Sequence, residues 1–221
     1  MKSAGNGGML IRMFSVCVVS LLLLTACRSA YYATWEKFGV YKRDLLKERV
    51  IEARDEQKAA GEQFKDAMTR LKELYGFQGG QLEKTYNALQ GEYEDCAARA
   101  NAVHKRITEM ETVAADLFRE WEKEIAEIST PSLKDGSRKQ LAATRERYNS
   151  LHRALKKAEE SMTPVLGQFK DHVLYLKHNL NAQAIASLKG EATSIQTEIS
   201  RLLTEMNSSI AKADEFIKSL E

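Results

Sequence analysis

Apolar side chains recur along the chain at alternating steps of four and three, the spacing that lines one helix face for a coiled-coil partner. The first stripe runs Leu46, Val50, Ala53, Gln57, Ala60, Phe64, Ala67, Leu71, Leu74. Tyr31, Trp35, Phe38 and Leu45 continue it upstream in a slightly shifted phase, which predicts a helix over about 31–76. The second, Leu82, Tyr86, Leu89, Tyr93, Cys96, Ala100, Val103, Ile107, Met110, Ala114, Leu117, Trp121 with Ile128 beyond, predicts a helix over about 81–128. The third, Leu141, Thr144, Tyr148, Leu151, Leu155, Ala158, Met162, Val165, Phe169, His172, Leu176, Leu180, predicts 137–180. Pro164 inside it removes one backbone hydrogen bond and predicts a kink. The fourth, Ile185, Leu188, Ala192, Ile195, Ile199, Leu202, Met206, Ser209, Ala213, Phe216, Leu220, predicts 183–220.

The breaks decide the topology. Gly76-Phe77-Gln78-Gly79-Gly80 is a cluster of breakers, and Ser129 to Gly136, holding Pro131, is a second. Between Leu180 and Ile185 the step is five, and Asn179 and Asn181 favour caps and turns, so a chain reversal is expected there. A continuous helix with a register defect is the rival. Four helices of matched length joined by short breaks predict an all-α fold, an elongated antiparallel up-down-up-down four-helix bundle, about 65 Å long at 1.5 Å per residue.

Upstream of the stripes lies an apolar run from Met13 to Leu24, preceded by Lys2 and Arg12 and followed by Thr25-Ala26-Cys27. At twelve residues the run is too short to span about 30 Å of hydrocarbon. It reads as a bacterial lipoprotein signal over 1–26, cleaved before a lipid-accepting Cys27, with 27–30 a short linker and 31–221 the bundle. An ordinary secretory leader cut near Ala30, or an uncleaved anchor, is the alternative. Acyl chains contribute about 0.8 kcal/mol per buried methylene, and two or more attach a protein stably. The expected location is the cell envelope, and the residue after the cysteine, Arg28, favours the outer membrane's periplasmic face.

Charge and cysteine content narrow the partners. Without Lys2 and Arg12 the chain carries 31 basic and 31 acidic residues, so no whole-domain basic surface for nucleic acid exists. Cys17 leaves with the leader and Cys27 takes lipid. Cys96 is left alone, so no intramolecular disulfide forms. Its place in the second stripe points to packing rather than redox chemistry.

An anchor three residues from the first helix places the remaining ends. The break at 129–136 lies near the bilayer, and those at 76–80 and 178–182 meet at the far tip. Tyr31, Tyr32, Trp35 and Phe38 are then expected near Phe118, Trp121 and Ile125, either as the aromatic base of the core or as interfacial anchors. From Lys134 to Lys157 there are eight basic and two acidic residues, and from Glu109 to Glu127 seven acidic and two basic. These stretches read as complementary faces of adjacent helices. The alternative puts Lys134, Arg138 and Lys139 against anionic headgroups.

No glutamate stands three residues before His104, His152, His172 or His178, so the Glu-x-x-His of di-iron bundles is missing. There is no His-Glu-x-x-His, Cys-x-x-Cys or P-loop. Gly76 to Gly80 lacks the Lys-Ser/Thr of a phosphate loop and reads as a turn. His172, on the third stripe, reads as a core histidine. No cofactor, metal or catalytic residue is expected, although an active site assembled from separate helices is left open.

Tyr32-x-x-Trp35-Glu36-Lys37-x-Gly39, Lys42-Arg43-Asp44-Leu45-Leu46, Arg49-Val50, and Leu176-Lys177-His178-Asn179-Leu180-Asn181-Ala182-Gln183-Ala184-Ile185 together resemble domain-of-unknown-function family 2959. The resemblance covers nearly the whole mature chain. It implies an exported, helical bacterial protein and brings no catalytic residues. The expected function is that of a lipid-anchored envelope scaffold that presents its tip to another envelope protein or the cell wall. Phe77, Lys177, His178, Asn179 and Asn181 are the candidate contacts, with turn formation and capping as their plainer role. A membrane-surface or lipid-binding bundle that opens at Pro164 and Gly167 is the second reading, and a hydrolase or ATPase the third. Self-association is compatible with each.

Overall fold

The computed structural model describes residues 42–76 and 82–220. Among them are four helices and no strand. They are α1 (Lys42–Tyr75), α2 (Leu82–Glu127), α3 (Pro131–His178) and α4 (Ala182–Ser219). By compactness the chain divides between Leu45 and Leu46. Of the first unit only residues 42–45, the opening turn of α1, are described. The leader, Cys27, Trp35 and the other aromatic residues of 31–38, and Phe77 lie outside the described residues.

In the second unit, Leu46–Glu221, side-chain bonds fix the helix directions. Glu56 pairs with Arg99 at 3.0 Å and Glu52 with Arg106 at 3.3 Å, so α1 and α2 run antiparallel. His104 to Glu159 and His152 to Glu111, both 2.6 Å, set α3 antiparallel to α2. Glu205 meets Ser161 and Lys157, about as far from the break between His178 and Ala182 as they are, so α4 runs antiparallel to α3. Arg54 reaches Asp214 at 2.9 Å, which closes α4 back onto α1. The diagonal contacts, Gln57 to the Leu155 carbonyl oxygen and Tyr75 to His172, join α1 to a parallel α3. This is the up-down-up-down arrangement that matched amphipathic helices with short turns adopt.

The core follows the stripes closely. Every position of the first, and every position of the third from Leu141 to Leu176, is buried. The α3–α4 reversal is present, with Asn181 as N-cap of α4.

The stripe positions Leu82, Tyr86, Tyr93, Ala100, Ala192 and Leu220 are only half-buried, and three further details depart from the pattern. α3 begins at Pro131, not 137, because proline is favourable in the first helical turn, where its missing N–H forfeits no bond; Gly136 is simply carried inside the helix. Leu180 is exposed, since it stands in the reversal rather than on α3. On α2 the core leaves the four-three register after Ala114. Phe118 and Ile125 are buried, whereas Leu117 and Trp121 are half-buried. A 3.6-residue helix drifts against a 3.5-residue repeat, and a four-four step restores its facing.

A polar layer interrupts the middle of the core. Gln57 and Ser209 are fully buried. Gln57 donates through Nε2 to the Leu155 carbonyl oxygen at 3.2 Å and holds Ser209 Oγ against its own Oε1. Among the described residues no buried side-chain nitrogen or oxygen lacks a partner. A layer linking α1, α3 and α4 in this way favours one register, since slipping any helix leaves a buried amide unpaired.

Candidate functional site

Three of the four large hydrophobic side chains exposed among the described residues, Leu174, Tyr175 and Leu180, lie at the α3–α4 reversal. Leu174 and His178 are one turn apart, Lys177 and Tyr175 flank them, and all face solvent. No acidic residue occurs from His172 through Gly190. The end of α3 is therefore apolar and basic. Lys177 and His178 also suit the negative end of the helix dipole.

The asparagines build the turn. Asn179 donates its backbone N–H to the Leu176 carbonyl oxygen and its side-chain Nδ2 to that of Tyr175, at 3.1 and 2.9 Å. Asn181 Oδ1 accepts from the Ala184 N–H at 2.9 Å. Of the candidate contacts, Lys177 and His178 are exposed and Asn179 and Asn181 serve as caps.

Directly inside this end, His172 is 6 % exposed and its Nδ1 lies 3.2 Å from the Tyr75 hydroxyl, at the meeting of α3 and α1. Burial lowers the His172 pKa from the ordinary histidine range; Asp171 and Glu191 oppose this. Burial also pushes the Tyr75 phenol up, so both groups are neutral at neutral pH. The sequence placed His172 in the core, but no periodicity identifies Tyr75, one residue beyond the first stripe, as its partner. Leu174 and Tyr175 fall between stripe positions, but so does the buried Val173, so position off the stripe does not by itself mark them as outward-facing.

At the opposite end Lys134 donates to the Ala126 carbonyl oxygen at 3.0 Å and Arg138 pairs with Asp135 at 3.3 Å. Two of the three basic residues considered for headgroups thus cap and brace the α2–α3 turn, while Lys139 is exposed. Arg145 bridges to Glu122 at 2.9 Å, so the two oppositely charged stretches do meet across this hairpin.

Cys96 is buried, 3.8 Å from the Gln63 carbonyl oxygen, and burial, with Glu92, Asp95 and Asp66 adding to it, pushes its thiol up to about 12. The thiolate is the reactive form, so Cys96 is expected to resist iodoacetamide at pH 7.5 in the folded protein and to alkylate fully in denaturant. Peptide mass spectrometry of the two samples reads this; rapid native alkylation contradicts it. Among the described residues no three His, Cys, Asp or Glu side chains gather as a metal site, and no helix is long and apolar enough to cross a membrane.

The architecture is that of an all-α antiparallel four-helix bundle with one apolar, basic end. The chain matches the family model described as protein of unknown function (DUF2959) over residues 31–220, and it belongs to that family. No curated protein and no solved structure matches it.

Proposed function

We propose that this protein is a lipid-anchored cell-envelope scaffold that binds rather than catalyses. Cys27 attaches it to the membrane, with the outer membrane's periplasmic face as its site. The α3–α4 end engages another component of the envelope. One observation carries the choice of that end: Leu174, Tyr175 and Leu180 stay exposed together beside Lys177 and His178, and among the described residues Leu133 alone of the other large apolar side chains is exposed. Aromatic and apolar anchors within a small patch are the groups that dominate binding energy at interfaces.

The double variant Lys177→Ala/His178→Ala tests it. Both side chains are exposed, so helicity is expected to be unchanged while co-purification of an envelope partner with the protein falls. Undiminished recovery rejects the α3–α4 end as the contact. The anchor is tested separately by Cys27→Ser, which is expected to abolish palmitate incorporation and release the protein from the membrane fraction.

A further inference from the structure

The bundle carries four histidines that differ in their surroundings. His172 is buried against Tyr75, where α1 ends beside α3. His104 and His152 instead sit on the α2–α3 seam, each 2.6 Å from a carboxylate, Glu159 and Glu111 respectively. His178 is exposed at the reversal. A cation at His172 is taken out of water. His104 and His152 lie on the outer side of the seam, 64 % and 32 % exposed, and are not sealed from water as His172 is.

We propose that the α1–α3 contact at His172 is an acid-sensitive latch on the reversal end, opening that end in mild acid while the α2–α3 seam stays closed. It rests on the reading of that end as the contact surface, whose accessibility it regulates. The charged groups acting on His172 are Asp171 on its own helix and Glu191 on α4, with the neutral Tyr75 phenol bonded to it from α1. The carboxylates oppose the burial and do not overcome it. The unfolded or opened chain therefore takes up a proton near pH 6.5, the ordinary histidine value, before the closed form does. Stability contributed by the neutral, buried ring is present above that pH and is lost as pH falls below it. Opening separates Tyr75 from His172 and uncovers Val173 and Leu176, the buried neighbours of Leu174 and Tyr175. The exposed apolar patch grows when the latch is released.

Hydrogen exchange on the full chain in detergent at pH 7.5 and 5.5, corrected for intrinsic rates, tests the latch without any partner. One pH unit below the ordinary histidine value, protection of amides at 71–75 and 169–178 is expected to fall by up to about tenfold. Protection at 104–111 and 152–159, away from the buried ring, is expected to change less. In His172→Gln the acid response at the reversal end is expected to vanish. His172→Phe, which keeps an apolar ring, serves the same purpose if the amide side chain loosens the end at every pH. A wild type whose protection falls equally in all four helices, or not at all, overturns the latch, as does an acid response that survives both substitutions. Neither result bears on capture at His178 and Lys177 at neutral pH, so failure of the latch and failure of the binding surface are read separately.

Discussion

Phe64→Ala is expected to destabilise the bundle by about 3–5 kcal/mol, the cost of truncating a fully buried aromatic ring. Phe64 is 0 % exposed. Its neighbours one turn away on the same stripe are Ala60 and Ala67, also fully buried, so α1 supplies no large side chain to fill the space. The rest of the loss is the cavity, since close-packed helices relax only partially around a deleted ring. Against a total stability of about 5–15 kcal/mol for a typical domain, this is a large fraction. Urea unfolding followed by circular dichroism measures it. Leu133→Ala is the control: Leu133 is 64 % exposed, and a change within about 0.5 kcal/mol is expected. Equal effects of the two substitutions contradict the assigned core.

The second large effect has the opposite sign. Gly91, Gly136, Gly167 and Gly190 all lie inside helices, and a Cβ built on any of them meets nothing within 4 Å. Each leaves the unfolded chain a freedom that alanine removes, worth about 0.4–1 kcal/mol where the native backbone accepts alanine. The four sites are far apart in sequence and share no contact of this kind, so their gains are expected to add. The quadruple variant Gly91→Ala/Gly136→Ala/Gly167→Ala/Gly190→Ala is expected to be more stable by about 2–4 kcal/mol. For a domain of this size that corresponds to about 2–4 °C in Tm per kcal/mol. Gly61 differs, because its Cβ would contact Met206 Sδ at 3.6 Å and the Leu203 side chain at 3.9 Å. That is ordinary contact, and Gly61→Ala is expected to be tolerated. A quadruple variant less stable than the parent contradicts the helical assignment of at least one glycine, and the four single variants identify which.

Much of this core was legible because apolar period and burial coincide on α1 and α3, where helix packing keeps the stripe facing inward over many turns. Gln57 and Ser209 were read correctly as stripe positions. Their bond to one another was not readable, because it depends on which turns of α1 and α4 lie side by side. The drift on α2 escaped for a different reason. A four-three count cannot tell a core position from its neighbour once the helix has rotated past the seam, and only the burial of Phe118 and Ile125 in place of Leu117 and Trp121 exposes the change. Pro131 misled because proline reads as a breaker from either direction, yet it breaks a helix only from within.

The end chosen as the contact surface was legible in outline. The five-residue step and the paired asparagines located the reversal, and both asparagines prove to be committed to the turn. What periodicity could not assign was exposure off the stripe. Leu174 and Tyr175 are ordinary residues in sequence, and their outward placement follows from the orientation of the whole of α3. Leu180, taken for the last position of the third stripe, belongs with them instead.

The central claim is that this end makes the functional contact, and photocrosslinking in the native envelope tests it most directly. A photoreactive residue at position 178 is compared with one at position 105, where Lys105 is also exposed to solvent, on α2. The account predicts a discrete adduct from position 178 that is absent from position 105, with mass spectrometry reporting what was captured. No adduct from 178, or the same products from both positions, contradicts it.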